Sequence, residues 1–335
     1  MDDKLPLISV IMAVQNEERF IGQTLNHIYE QDYPKDKLEV IVIDGYSNDK
    51  TVEIAESFKD KLPDLKILQN PIRLAGSSRN MGFKEARAEY CVVIDGHVYI
   101  ENKNLLRDMV AIFHTSGVDV LSRPQPLTPP DNSYFQNAVA YARESLIGHG
   151  TDSTIYNMEY EGEVDPSSSG SMYSKTVFEE VGYVDERFDA AEDYEFNYRI
   201  SQKGYNSYIS PKLAVFYYPR ETLGGLFRQM IRYGLGRFRF VRKHSSQIIS
   251  GNLIPPLFYT LLLLTAILAI FVKDFWILPA ALLALYLGGI ILGSIVTSFK
   301  RGLKYLPLFP TIYVTIHFGL AWGFISGIFR AKPGK

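Results

Sequence analysis

A chain of 335 residues that is 47% hydrophobic and 21% charged, with a mean hydropathy of −0.03, has a globular composition. This excludes disordered, collagen-like and disulfide-scaffold classes and leaves room for about two domains. The net charge of −2 hides a split: residues 1–221 carry 36 acidic against 22 basic side chains and residues 222–335 carry 1 against 13, net −14 and +12. Nucleic acid is not an expected partner, because the bases gather in an otherwise apolar segment.

Met1 to Leu7, with two aspartates and a lysine, lacks the basic start and apolar core of a signal peptide. Periodicity then predicts a strand over Leu7 to Val14, a helix over Asn16 to Tyr29, a strand over Leu38 to Ile43, a helix over Asn48 to Phe58 and a strand over Leu65 to Gln69. A helix over Ser77 to Ala88, a strand over Tyr90 to Ile94, a helix over Leu105 to Phe113 and a strand over Val118 to Leu121 complete a parallel sheet covered by helices. Cys91, the single cysteine, lies in one of the apolar strands and reads as a core residue.

Ligands bind such sheets at the carboxyl ends of the strands. There the polar clusters fall: Gln15-Asn16-Glu17-Glu18, Asp44-Gly45-Tyr46-Ser47-Asn48-Asp49 and Asp95-Gly96-His97. Neither a Gly-x-Gly-x-x-Gly nor a P-loop follows the first strand, which argues against a dinucleotide dehydrogenase and a P-loop ATPase.

Beyond the sheet, Asn132 to Glu161 is rich in polar and aromatic residues and is expected on the acceptor side of a site. A small-residue stretch runs from Val164 through Gly170 to Tyr173, and Phe188-Asp189-Ala190-Ala191-Glu192-Asp193-Tyr194-Glu195 opens a helix. Leu223 to Val241 mixes apolar residues with Arg228, Arg232, Arg237 and Arg239, the pattern of a helix on an anionic membrane face.

Three apolar runs follow: Ile254 to Val272, Phe275 to Phe299 and Leu306 to Phe329, of 19, 25 and 24 residues. At 1.5 Å per residue they reach about 28–37 Å, enough for a hydrocarbon core of roughly 30 Å. Bases before the first run and at Lys300, Arg301 and Lys304 put residues 1–250 in the cytoplasm. The tail, with Arg330, Lys332 and Lys335, argues against three full crossings. His317, inside the third run, reads as a neutral histidine bonded to a neighbouring helix, and Gly288, Gly289 and Gly293 as close helix packing. The expected domains are 1–221 catalytic, 222–250 interfacial and 251–335 membrane.

The ordered motifs Ser9-Val10-Ile11-Met12-Ala13-Val14-Gln15-Asn16-Glu17-Glu18, Val42-Ile43-Asp44-Gly45-Tyr46-Ser47-Asn48-Asp49 and Arg79-Asn80-Met81-Gly82 resemble a family 2 glycosyltransferase with the GT-A fold. With Asp95-Gly96-His97 and the C-terminal helices, the chain looks most like the membrane glucosyltransferases of succinoglycan-type exopolysaccharide assembly. The resemblance implies an α/β, Rossmann-like nucleotide-binding sheet followed by membrane helices.

It also implies roles. Asp44 would contact the base, with Ala13 and Glu17 near base or ribose. Asp49 would lie on the nucleotide side, or equally cap the helix containing Val52. Arg79, at a helix start, would face phosphate together with free backbone amides; the plain alternative is a surface salt bridge.

Asp95 and His97 occupy the place of a metal-binding Asp-x-Asp, and the imidazole favours Mn²⁺ over Mg²⁺. Gly170 would let backbone approach the donor sugar. Asp193 would act as the base of an inverting transfer and Glu192 would orient it; the plain alternative is an acidic first turn stabilised by the helix dipole. Gln229, Arg232 and Tyr233 approximate a Gln-x-x-Arg-Trp motif near acceptor and diphosphate, with membrane anchoring the stronger reading for Arg232.

The expected activity is transfer of a hexose from a nucleotide sugar, a UDP-sugar by family habit, to a lipid-linked glycan or polyprenyl phosphate on the cytoplasmic face of the membrane. Alternatives are a polyprenyl-phosphate monosaccharide synthase, a processive synthase, or an inactive nucleotide-sugar-binding assembly subunit. A homo-oligomer is left open.

Overall fold

The computed structural model describes residues 5–149, 154–245, 253–272 and 274–330. Lys332 and Lys335, used above for orientation, lie outside the described residues.

The chain runs through β1 (Ile8–Val14), α1 (Ile21–Tyr29), β2 (Leu38–Asp44), α2 (Thr51–Glu56), β3 (Leu65–Gln69), α3 (Ala75–Glu85), β4 (Tyr90–Val93), β5 (Val98–Tyr99), α4 (Leu105–Ser116) and β6 (Val120–Ser122). Then come α5 (Tyr134–Arg143), α6 (Leu146–His149), β7 (Gly162–Val164), β8 (Gly170–Ser174), α7 (Lys175–Val181), α8 (Glu192–Gln202), β9 (Ser207–Ile209) and β10 (Phe216–Tyr217). The last elements are α9 (Leu223–Lys243), α10 (Ile254–Phe271), α11 (Ile277–Arg301) and α12 (Phe309–Arg330).

The chain divides into two compact units, residues 1–129 with 153–218, and 130–152 with 219–335. The expected boundary at 221 therefore moves to 218, and residues 130–152, part of the segment expected on the acceptor side, group with the C-terminal helices. The basic helix also groups with them rather than forming a segment of its own.

In the first unit the strand order is β3-β2-β1-β4-β8-β6-β9-β7. β3, β2, β1 and β4 are parallel, as the periodicity predicts, whereas β8 runs antiparallel to both β4 and β6, and β7 runs antiparallel to β9, so the sheet is mixed. The parallel strands are near-continuous apolar runs because helices cover both faces. One face buries Val10, Met12, Val40, Val42 and Val92 against α1 and α4, and the other buries Ile11, Ile41, Ile43 and Cys91 against Phe83, Phe178 and Phe196. Each such side chain contributes about 1.5–3 kcal/mol. A separate ribbon of β5 and β10 lies beyond the strand ends.

In the second unit α12 is central. Phe309, Ile312, Tyr313, Ile316 and Leu320 bury against Ala138, Val139 and Ala142 of α5 and Leu226 and Met230 of α9. Among the described residues three helices, α10, α11 and α12, are long and apolar enough to cross a membrane. His317 does bond to neighbours, its Nε2 2.7 Å from the Ile147 carbonyl oxygen and its Nδ1 3.2 Å from the Tyr286 hydroxyl. Gly288 and Gly289 do not pack helices, since a side chain there would meet open space; only Gly293 of the three is pressed on a neighbour, Ile147.

Candidate active site

The carboxyl ends of β1 and β2 are joined by hydrogen bonds between their following loops. Asn16 N–H donates to Ser47 Oγ (2.8 Å), Asn48 N–H to Asn16 Oδ1 (2.9 Å) and Glu17 N–H to Thr51 Oγ1 (2.7 Å). Asp44 is buried, and its carboxylate accepts from the Ser47 backbone and hydroxyl (2.5 Å to Oγ).

Asp49 braces the same turn. Its Oδ1 accepts from Thr51 N–H and the Thr51 hydroxyl, and its Oδ2 from Glu18 N–H. These bonds outweigh partial burial and hold the Asp49 carboxyl below its usual range. Of the two sequence readings for Asp49, the geometry favours the local brace. Ala13, half-buried in β1, opposes Ile43.

Asp95-Gly96-His97 follows β4. A Cβ on Gly96 would come 2.7 Å from Val14 Cγ1, so only glycine lets this loop lie against the end of β1. His97 Nδ1 is 2.9 Å from Glu17 Oε1, which ties the first and third polar clusters together.

Arg79 is not at a helix start: α3 begins at Ala75, so Arg79 sits in its second turn, away from the free backbone amides. Nor is it a surface salt bridge. Its side chain is 12% exposed, with Nη1 2.7 Å from Glu192 Oε1 and Nη2 3.4 Å from Asp95 Oδ1.

On the opposite side, Ala191 adopts a left-handed conformation (φ 62°) and turns the chain into α8. Glu192 is thereby buried against Arg79, whereas Asp193 is exposed and accepts from Tyr194 N–H at 2.8 Å. Tyr217 of β10 donates to Asp95 Oδ2 at 2.8 Å and accepts from Arg123 Nη2 at 3.2 Å. A continuous network therefore runs Arg123–Tyr217–Asp95–Arg79–Glu192.

Its electrostatics push the two carboxylates apart. Burial raises Asp95, but the Arg79 guanidinium, His97 and the Tyr217 hydroxyl outweigh it and hold the carboxyl below the usual range. Burial raises Glu192 as well, and there it prevails over the attraction of Arg79, with Asp193 adding repulsion.

Arg79, Asp95, Arg123, Gly170, Asp193 and Tyr217 line one pocket. Gly170 is also pressed against the fold, since a Cβ there would lie 2.5 Å from Asn197 Oδ1 and 2.7 Å from the Tyr173 hydroxyl. Arg79 Nε and Arg123 Nε and Nη1 are buried without a hydrogen-bond partner.

Gln229, Arg232 and Tyr233 belong to α9 in the second unit. Gln229 Nε2 lies 3.4 Å from the Tyr233 hydroxyl, the Arg143 guanidinium covers the Tyr233 ring at 5.9 Å, and Arg232 is exposed. Sequence reasoning missed Arg123 and Tyr217. The available signal for Arg123 was an arginine closing the apolar Val120-Leu121 strand just before Pro124, at the ligand-binding end of a sheet.

Among the described residues no group of three or more His, Cys, Asp or Glu is arranged to hold a metal. Asp95 and His97 supply two donors, one an ionised carboxylate. That fits a cation completed by substrate phosphate oxygens rather than one caged by protein.

A Rossmann-like sheet whose strand ends carry an Asp-Gly-His turn, facing an acidic pair at a helix start, defines a GT-A glycosyltransferase. The profile described as Glycosyl transferase family 2 matches residues 9–182, and that of Glycosyl transferase family group 2 matches residues 101–326. The chain belongs to glycosyl transferase family 2.

Among curated relatives, the dolichyl N-acetyl-alpha-D-glucosaminyl phosphate 3-beta-D-2,3-diacetamido-2,3-dideoxy-beta-D-glucuronosyltransferase of Methanococcus voltae is 24% identical over 97% of this chain and 98% of its own length. Succinoglycan biosynthesis protein ExoA of Rhizobium meliloti is 31% identical over 61% of each chain. Among solved structures, the mannosyltransferase PcManGT of Pyrobaculum calidifontis, in complex with GDP-Man and Mn²⁺, has a TM-score of 0.62 at 19% identity, covering 99% of this chain and 90% of that one. S. aureus TarS 1–349 with UDP-GlcNAc has a TM-score of 0.52 at 18% identity, covering 96% and 91%.

Proposed function

We propose that this glycosyltransferase moves a hexose from a nucleoside-diphosphate sugar, a UDP-sugar first, to a lipid-linked glycan at the cytoplasmic face of a membrane, with inversion at the anomeric carbon. The observation that carries the reading is the exposed Asp193 carboxylate on the wall of the pocket that holds Arg79, Asp95 and Arg123. The three apolar helices favour an acceptor presented at a membrane.

Asp193 accepts the proton of the acceptor hydroxyl as that oxygen bonds to the anomeric carbon from the face opposite the diphosphate. The bond from carbon to the diphosphate oxygen breaks, and the diphosphate leaves with the electron pair. Glu192 does not share the proton transfer; its bond to Arg79 fixes the start of α8 and so the position of Asp193. Arg79 and Arg123 bring guanidinium donors to the anionic donor, and Asp44, held by Ser47, presents a rigid edge to the base. Asp95 and His97 would hold a divalent cation, Mn²⁺ by the imidazole's preference, and when bound it would neutralise charge on the departing diphosphate. Gln229, Arg232 and Tyr233 would serve the acceptor side.

The test is nucleoside-diphosphate release by the purified full chain, given a panel of sugar nucleotides, Mn²⁺ or chelator, and membrane lipid extract. Lipid-dependent release is expected, falling about 10²–10⁴-fold in Asp193→Asn with thermal stability unchanged. Donor binding without turnover on any acceptor would instead indicate an inactive assembly subunit, and release that survives Asp193→Asn would remove Asp193 as the base.

A further inference from the structure

α10, α11 and α12 qualify alike by length and composition, but their surroundings differ. In their most apolar stretches 11% of α10 and 17% of α11 is buried inside the protein, against 44% of α12. α9 runs along the second half of α12 and α5 packs on its first half, while α10 and α11 also touch it, Tyr259 against the Phe318 ring (5.4 Å), Tyr286 against His317 (3.2 Å) and Thr297 against the Tyr313 hydroxyl (2.8 Å).

The contact with α9 is backbone to backbone. A Cβ on Gly319 would lie 2.6 Å from Met230 Cβ, one on Gly323 2.1 Å from the Ile231 carbonyl oxygen, and one on Gly234 2.2 Å from the Leu320 carbonyl oxygen. Phe227 stacks on Phe318 at 5.8 Å and Phe238 meets Phe324 edge-on at 5.4 Å. The partners advance together along both chains, so the helices run parallel and in contact for about three turns.

α9 cannot lie inside hydrocarbon. Within 21 residues it carries Arg228, Arg232, Arg237, Arg239, Arg242 and Lys243 and no acid, and Arg228, Arg232, Arg242 and Lys243 are exposed. Each such base at the bilayer centre costs about 2.5–3.5 kcal/mol, while near an anionic surface each is favourable by about 1 kcal/mol. Whatever depth α9 takes, the second half of α12 shares it. The apolar side chains that α12 leaves exposed there are few: Phe318, Trp322, Ile328 and Phe329.

We infer that α12 lies with α9 in the plane of an anionic membrane surface, and that α10 and α11 form the pair of helices that crosses. The basic side chains of α9 meet lipid head groups and the exposed aromatic residues of α12 enter the upper acyl region. Two crossings return the chain to the side it left. Lys300, Arg301, Lys304 and Arg330 then lie on the side of the membrane that retains bases, and Trp276, at the start of α11, lies on the other. The inference stands for any donor or acceptor.

Cysteine labelling in oriented vesicles tests it. Cys91 is the single cysteine, buried and with its thiol pushed up to about 12, so a Cys91→Ala background is silent. In that background Asp60→Cys on the catalytic unit and Phe329→Cys at the end of α12 should react with an impermeant maleimide from one face, and Trp276→Cys from the other. Reaction of Phe329→Cys with the Trp276→Cys face, or of all three from one face, overturns the inference.

A second measurement needs no new cysteine. Trp276 and Trp322 are the two tryptophans. In a Trp276→Phe variant in phosphatidylglycerol vesicles, Trp322 should be quenched more by lipids brominated near the carboxyl end of the acyl chain than near the methyl end. The reverse order would place Trp322 near the midplane, as a spanning α12 requires, and would overturn the inference.

Discussion

Glu39 and Asp95 lie at opposite ends of one sheet, each a carboxylate shielded from water beside an arginine, yet they are partnered differently. Glu39, near the start of β2, is fully buried and accepts from the Ser9 hydroxyl, the Arg87 backbone N–H and Arg87 Nε, with Lys66 Nζ 3.2 Å away. Its own needs and those of its partners are met within the fold. Around Asp95, at the carboxyl end of β4, the network is continuous but incomplete: one nitrogen of Arg79 and two of Arg123 are buried without partners. Buried donors left unmet cost about 1–3 kcal/mol each. On the function proposed above, the saturated cluster is structural and the unsaturated one meets the anionic donor.

The strongest way to break this contrast is at the saturated end. Glu39→Gln should lower the stability of the unliganded protein by about 1.5–3 kcal/mol, since it removes the charged acceptor of the Ser9 hydroxyl and the Arg87 backbone N–H inside the fold, while leaving the donor KM unchanged. The pH dependence carries a sign. Burial raises the Glu39 carboxyl, but Ser9, Arg87 and Lys66 outweigh it and hold it below the usual carboxylate range. Its contribution is therefore present above about pH 4.5 and is lost as pH falls through the lower folded value. Thermal melting of the parent should drop across that acid window, and Glu39→Gln should drop less. A neutral-pH melting temperature equal to the parent's would show that the cluster is not structural.

At the unsaturated end the expectation reverses. Arg123→Met removes a buried guanidinium with two unmet donors, so the unliganded protein should melt no lower than the parent. The donor KM should rise about 10- to 100-fold, the range expected from losing a hydrogen bond to a charged group. Melting curves with and without nucleotide sugar separate the cases. A variant that loses as much unliganded stability as Glu39→Gln would make Arg123 a structural residue.

The contrast also explains what could be read beforehand. What depends on local pattern was legible: β1 to β4 are apolar runs with polar ends, and Asp44, Asp95 and Asp193 follow a strand end or open a helix. Arg123 and Tyr217 were not legible, since Tyr217 reaches Asp95 only because β10 pairs with β5, a two-residue ladder with no periodicity of its own. Arg79 was recognised but set at a helix start, because the small residues Ala75 to Ser78 hide the true first turn of α3. Likewise the bases of α9 were legible, but its glycine-mediated contact with α12 depends on a register between segments about 90 residues apart in the chain.

Asp49 sharpens the boundary between the two kinds of site, because it stands beside the ligand loops and yet has the saturated pattern. Oδ1 accepts from Thr51 N–H at 3.0 Å and Thr51 Oγ1 at 2.6 Å, and Oδ2 from Glu18 N–H at 3.2 Å. Both oxygens are thus committed to holding the β1 and β2 loops in place. Asp49→Ala should cost about 1 kcal/mol, as for loss of a helix-start side-chain acceptor, with the donor KM within about twofold of the parent, a shift of only ~0.4 kcal/mol. Asp49→Asn keeps one acceptor oxygen and should recover part of the stability. A donor KM that rises tenfold in Asp49→Ala while melting is unchanged would reverse the assignment: Asp49 would then contact the nucleotide, and saturation within the fold would no longer separate structural carboxylates from ligand-binding ones.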